Sequence, residues 1–209
     1  MKEGSARFPY QIYCDMDGVL VDFENGAIKQ INQDLKNKSL HGKELDELRM
    51  ALSDLGRDTV TLEDLSKMDK ERRLQPARDY MYVRLSNDEE FWANLPWMSG
   101  GKELWNHISQ FNPHILTAPM RGVGSKNGKK LWIKENLTPG PQNIHMSHEK
   151  YNWAVDESGQ PNLLIDDFTS NTVPWRESGG VAILHTDVKK TIEQLRELIN
   201  NIPAERGRV

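Results

Sequence analysis

The chain has 209 residues with 27 Lys and Arg against 31 Asp and Glu, a formal net charge of −4 that argues against broad nucleic-acid binding. The single cysteine, Cys14, excludes an intramolecular disulfide and fits a reducing compartment, while the length excludes a disulfide-stapled miniprotein and allows one domain or one domain with an insertion. No apolar run approaches the roughly 18 residues of a membrane span, and Met1 to Pro9 has no apolar signal-peptide core, so a cytoplasmic protein without a membrane partner is expected.

In chain order, the first β-rich run is Tyr10 to Cys14. The next, His114 to Leu116, comes after 99 residues, far more than one crossover helix requires, so an inserted helical cap is expected between them. Its helices are signalled by Leu45, Leu48, Leu52 and Leu55 at helical spacing, by Thr61-x-x-Asp64 before Leu65, and by Ser86-x-x-Glu89 before Phe91-Trp92. Leu104, Ile108 and Phe111 mark a helix before the second strand. Arg121 to Lys130 reads as a flexible basic loop, because Val123 and Lys130 break the phosphate-loop pattern, and a helix runs from Leu131 to Leu137. Further strands lie at Asn143 to Met146, Leu163 to Ile165 and Val181 to Leu184, and then a helix through Ile192, Leu195, Leu198 and Ile199. The polar tail from Pro203 is expected to fray. This alternation predicts an α/β fold: a Rossmann-like parallel sheet with helices on both faces and a small helical cap after the first strand. The predicted core is 1–24 and 96–209, and the predicted cap is 25–95.

Polar groups stand directly after four of the strands: Asp15-Met16-Asp17-Gly18, Thr117, Ser147 to Lys150, and Asp166-Asp167. In an open parallel sheet the ligand crevice lies outside the carboxyl ends of the strands, so groups up to 152 positions apart would converge there. Four carboxylates so placed repel unless protonated or bridged by a cation, and a hard, oxygen-seeking ion such as Mg²⁺ answers that need. Mg²⁺ commonly joins one or two carboxylates to a phosphate, which points to phosphoryl chemistry with Lys150, and Lys129 near it, supplying positive charge. A carboxylate can attack phosphorus, and a second acid two residues along can protonate the leaving oxygen and then activate water.

These stretches resemble a known family. Asp15-Met16-Asp17-Gly18-Val19-Leu20, Ile115-Leu116-Thr117, a later Lys, and Leu164-Ile165-Asp166-Asp167 match the four motifs of haloacid dehalogenase-like phosphatases. The resemblance narrows towards 5'(3')-deoxyribonucleotidases through Asp17-Gly18-Val19-Leu20-Val21-Asp22-Phe23, Phe91-Trp92, Lys129-x-x-Trp132 and Leu163-Leu164-Ile165-Asp166-Asp167. It covers the core well and the cap poorly. It implies Asp15 as nucleophile and Mg²⁺ ligand, Asp17 as acid/base and ligand through its carbonyl, Asp167 as ligand, and Asp166 reaching the ion through water. Thr117 would hold a phosphate oxygen, and Lys150 would neutralise the transferring phosphoryl group. Phe23, Phe91 and Trp92 would face the leaving group, with Ala118 (where the family often has Ser) and Lys129 on the substrate side. Lys150 stands 16 positions before Asp166, a longer spacing than the family pattern. The implied partner is a small phosphorylated substrate, a deoxyribonucleotide, bound by a monomer or homodimer without nucleic acid. A non-catalytic phosphate- or nucleotide-binding module and a phosphatase of other small phosphomonoesters or of nucleic-acid 3'-phosphate ends are the other classes the residues allow.

Taken singly, these residues have plainer readings. Asp-x-Asp-Gly alone is usually a turn, Asp166-Asp167 alone an N-cap, and Lys150 alone a solvated lysine. Their order after successive strands is what joins them. His145-x-x-His148 lacks a third ligand for zinc, and Cys14 reads as a small core residue.

Overall fold

The computed structural model describes residues 8–200; the tail from Pro203 lies outside them. The chain divides into two compact units. One comprises the chain up to Val21, Trp97–Ala118 and the chain from Asn136; the other comprises Asp22–Pro96 and Pro119–Glu135.

The first unit is built on five parallel strands: β1 (Ile12–Cys14), β2 (His114–Thr117), β3 (Ile144–Met146), β4 (Leu163–Asp166) and β5 (Val181–Leu184), in the spatial order β3-β2-β1-β4-β5. All residues of β1, β2 and β4 are buried, as expected of short apolar strands covered on both faces. Helices α6 (Gly101–Ile108), α8 (Thr169–Glu177) and α9 (Val188–Asn200) lie around the sheet, α8 and α9 against β5 and α6 against α9. The sequence order reverses at β1, with β2 on one side and β4 on the other, which makes the carboxyl end of β1 the switch point where α/β folds place ligands.

The second unit is helical: α1 (Phe23–Lys36), α2 (Lys43–Asp54), α3 (Leu62–Lys67), α4 (Gln75–Leu85), α5 (Glu89–Ala93) and most of α7 (Val123–Asn136). Ala27, Ile31, Leu45, Leu48, Leu52, Leu65, Leu74, Met81 and Leu85 form its core. Thr61 and Asp64 form the reciprocal capping box expected of them at the start of α3.

Two sequence expectations change. The Arg121–Lys130 stretch is mostly helix, since α7 starts at Val123. Glycine is a poor helix former, but here a Cβ on Gly124 would lie 2.3 Å from the Asn87 carbonyl carbon, and one on Gly128 would lie 2.4 Å from the Glu89 oxygen. Close backbone packing therefore overrides propensity and ties this helix to the helical unit. The helical unit accordingly takes in Pro119–Glu135 together with Asp22–Pro96. Ser86 does not cap α5: its hydroxyl donates to the Tyr82 carbonyl at the end of α4, and Asp88 accepts the Phe91 N–H instead.

Candidate active site

The switch point collects the carboxylates. Asp15 comes directly after β1, and its N–H donates to the Ile165 carbonyl of β4 at 2.9 Å, which places it beside the strand that ends in Asp166. The chain then folds back at once: the Met16 carbonyl accepts from the Leu20 and Val21 N–H groups at 2.8 and 2.9 Å, and the Gly18 N–H donates to the Val21 carbonyl at 2.9 Å. Gly18 has φ +72°, and a Cβ there would lie 2.1 Å from Asp167 Oδ2. Only glycine permits both the turn and the approach of Asp167.

Carboxylate oxygens of Asp15, Asp166 and Asp167 lie within 4.8 Å of one another. Lys150, on a 3₁₀ turn (Lys150–Trp153) after β3, places its ammonium 2.8 Å from Asp15 Oδ1 and 2.6 Å from Asp166 Oδ2. Lys150 is 2% exposed and Asp166 fully buried. The turn carries Lys150 back to the ends of β1 and β4, so the 16-residue interval before Asp166 does not keep the two apart. Thr117, also buried, ends β2 next to β1, and its carbonyl accepts the Ser147 N–H at 3.0 Å. Half-buried Ala118 comes after it.

Three carboxylates facing one ammonium leave excess negative charge in a site removed from water. Burial pushes Asp15 up to about 6; Lys150 opposes the rise, and Asp166 and Asp17 add to it. Burial, then Asp15 and Asp166, push Asp167 up to about 8. Burial alone would lower Lys150, but Asp15 and Asp166 outweigh it and hold the ammonium well above the usual lysine range. Asp167 Oδ1 is buried without a hydrogen-bond partner. An orphaned hard oxygen beside Asp15, with both carboxyl groups resisting ionisation, fits a small divalent cation such as Mg²⁺.

The aromatic candidates belong to the helical unit. Phe23 stacks on Trp92 with ring centroids 5.1 Å apart and planes 8° apart, Phe91 meets both edge-on, and the Lys129 ammonium lies 4.8 Å from the Trp92 ring centre. The Trp92 indole N–H donates to the Leu85 carbonyl, and Trp92 is 2% exposed and Lys129 fully buried. Trp92 and Lys129 are thus buried against each other, while Phe23 and Phe91 keep part of their surface.

One residue of the sheet unit escapes sequence reasoning. Asn171, in the first turn of α8, donates its side-chain amide to both oxygens of Asp166, at 3.0 and 3.1 Å. Its place five positions after Asp166 is the sole trace in the sequence.

No family model matches the chain, and no curated protein matches it. Solved structures do. A hydrolase from Streptococcus pneumoniae TIGR4 superposes with TM-score 0.52 at 13% identity over 90% of this chain and 99% of its own. A haloacid dehalogenase-superfamily hydrolase from Ehrlichia chaffeensis gives 0.51 at 13% over 94% and 100%. A haloacid dehalogenase-family hydrolase from Deinococcus radiodurans R1, solved with bound phosphate and sodium, gives 0.50 at 15% over 91% and 89%. Identities this low establish the fold alone, and the fold is that of haloacid dehalogenase-like hydrolases.

Proposed function

We propose that the chain is a Mg²⁺-dependent phosphomonoesterase working through an aspartyl-phosphate on Asp15, with deoxyribonucleoside monophosphates as its substrates, in the manner of a 5'(3')-deoxyribonucleotidase. The observation that carries this reading is the Lys150 ammonium shared between Asp15 and Asp166, with Asp167 beside them. The Deinococcus hydrolase of like fold holds phosphate and sodium, an anion and a cation of the kind such a site needs.

In this reading Lys150 keeps Asp15 ionised despite its burial, so one Asp15 oxygen attacks phosphorus. The bond from phosphorus to the ester oxygen breaks, and Asp17 gives that oxygen a proton. Asp17, now ionised, takes a proton from water, whose oxygen attacks the same phosphorus. The bond to Asp15 breaks and inorganic phosphate leaves. Lys150 and the Thr117 hydroxyl hold the phosphoryl oxygens during both displacements. Asp15, Asp167 and the Asp17 carbonyl would hold Mg²⁺, which when bound withdraws charge from the phosphoryl group. Phe23 and Phe91 are the residues assigned to the leaving group, which the nucleotidase resemblance makes a deoxynucleoside. We read the helical unit as the cap, and the single cysteine supports a cytoplasmic setting.

The test is phosphate release from 5'- and 3'-deoxymononucleotides, ribonucleotides, an oligonucleotide 3'-phosphate and an aryl phosphate. Preference for deoxymononucleotides supports the substrate class. Activity on the aryl phosphate alone keeps the chemistry and removes the nucleotidase reading, and thermal stabilisation by nucleotide without turnover favours a binding module.

A further inference from the structure

Asp166 is surrounded. Its Oδ1 accepts the Phe168 N–H at 2.9 Å and the Asn171 amide at 3.0 Å; its Oδ2 accepts the Lys150 ammonium at 2.6 Å and the same Asn171 amide at 3.1 Å. An ionised carboxylate has about four lone-pair sites, and here the protein supplies four contacts to them. Asp167, the next residue, is the opposite case, because its buried Oδ1 has no hydrogen-bond partner. Two adjacent acids at the end of β4 therefore have different work: one faces the protein, the other is open to a cation.

We infer that Asp166 serves to hold Lys150 rather than the metal, and that Asn171 is the positioning residue that makes this possible by fixing the Asp166 carboxylate through both of its oxygens. This rests on the phosphomonoesterase reading for its kinetic consequence, but the geometric claim stands without it. The chain of contacts runs Asn171 to Asp166 to Lys150 to Asp15, and each link is between 2.6 and 3.1 Å. Without the amide, the Asp166 carboxylate is free to rotate about its last side-chain bond, and the Lys150 ammonium loses the anchor that aims it at Asp15. It also departs from what the family resemblance implies, namely that Asp166 reaches the ion through water.

Three variants test it: Asn171→Ala, Asn171→Gln, which keeps an amide donor, and Asp167→Asn, with Ser170→Ala on the same helix as control. Mn²⁺ serves as the probe for the metal, its binding followed by electron paramagnetic resonance, and kcat and KM are measured with Mg²⁺ on the best substrate found. Asn171→Ala is expected to lower kcat by about tenfold or more with KM changed less than about threefold, the size of loss a misplaced charge produces. Its Mn²⁺ affinity stays within about twofold of wild type, whereas Asp167→Asn loses at least about tenfold, as expected of a lost ligand group. Asn171→Gln recovers part of kcat, and Ser170→Ala changes nothing. Mn²⁺ binding weakened by Asn171→Ala as much as by Asp167→Asn would put Asp166 in the metal's shell and overturn the inference. A crystal structure of Asn171→Ala gives the reading that needs no activity: Lys150 Nζ is expected to leave its 2.8 Å contact with Asp15. A Lys150 that stays in place would overturn the positioning role even if wild type hydrolyses no phosphate ester, an outcome that would separately remove the proposed function.

Discussion

In the sheet unit, Asp15 and Asp166 share the Lys150 ammonium while Asp167 beside them has a buried Oδ1 without a hydrogen-bond partner; in the helical unit, buried Asp34 accepts from three side-chain donors. Asp34 accepts the Gln30 amide at 3.0 Å, the Tyr80 hydroxyl at 2.8 Å and the Arg84 guanidinium at 2.9 Å, and Arg84 also pairs with Asp88, the residue that caps α5. Burial, and then the Asp34 carboxylate, push the Tyr80 hydroxyl far above its ordinary range, so it remains a neutral donor. Both clusters cost desolvation. The helical one answers every group it buries, which is how a buried polar network fixes a structure. The other keeps a deficit of positive charge and raised carboxyl groups, the pattern that marks sites poised for a ligand rather than for stability.

Removing Lys150 breaks this contrast most severely. Lys150→Met leaves the buried Asp15 and Asp166 carboxylates without their counter-charge, so unfolding free energy should drop by about 3–5 kcal/mol and phosphate release should vanish, read by denaturant unfolding and by turnover. Retained stability would show that the carboxylates are protonated or hydrated rather than paired. Gly18→Ala comes next. A Cβ 2.1 Å from Asp167 Oδ2, on a backbone at φ +72°, costs about 1–2 kcal/mol for the left-handed conformation alone and displaces Asp167, so Mn²⁺ affinity should fall with stability. In the helical unit, Tyr80→Phe removes one of the Asp34 donors and should cost about 1.5–3 kcal/mol, the range for hydrogen bonds to charged groups, with turnover per folded molecule unchanged. A loss of turnover there would mean that the two networks do not divide the work as described.

The smallest effect is a pH slope. His114 stacks on Tyr13 at 4.7 Å, and its Nδ1 lies 3.1 Å from His145 Nε2. Burial, and then His145, lower the His114 imidazole to about 4. A base depressed in the folded state contributes stability that is full above its unfolded value, near 6.5, and that is lost as pH falls towards about 4. Thermal melts between those limits should therefore steepen downward in wild type more than in His114→Phe, while carboxylate effects common to both cancel.

How much of the molecule is legible in its sequence depends on the length of the physical signal. The strands announce themselves through short apolar runs closed by polar residues, so the cluster can be assembled from the sequence; that the sheet reverses order at the Asp15 motif comes from the fold. Lys150 cannot be placed by spacing, because the 3₁₀ turn that brings it back has no periodic pattern. α7 is hidden by Gly124 and Gly128, whose helical state depends on the backbones of Asn87 and Glu89, distant in sequence. Trp92 and Lys129 go to the substrate by resemblance, and their burial against each other is a tertiary fact. Asn171 and Asp34 matter through hydrogen bonds to residues whose positions only the fold supplies.

In the proposed reaction Asp15, backed by Lys150 and a divalent cation, takes a phosphoryl group. The most direct measurement is phosphate release by wild type and Asp15→Asn, with Mg²⁺ and with EDTA, on deoxymononucleotides and an aryl phosphate. Turnover is expected that EDTA abolishes, that Mg²⁺ restores, and that Asp15→Asn lacks while folding normally. Undiminished turnover by Asp15→Asn, or turnover indifferent to EDTA, would contradict it.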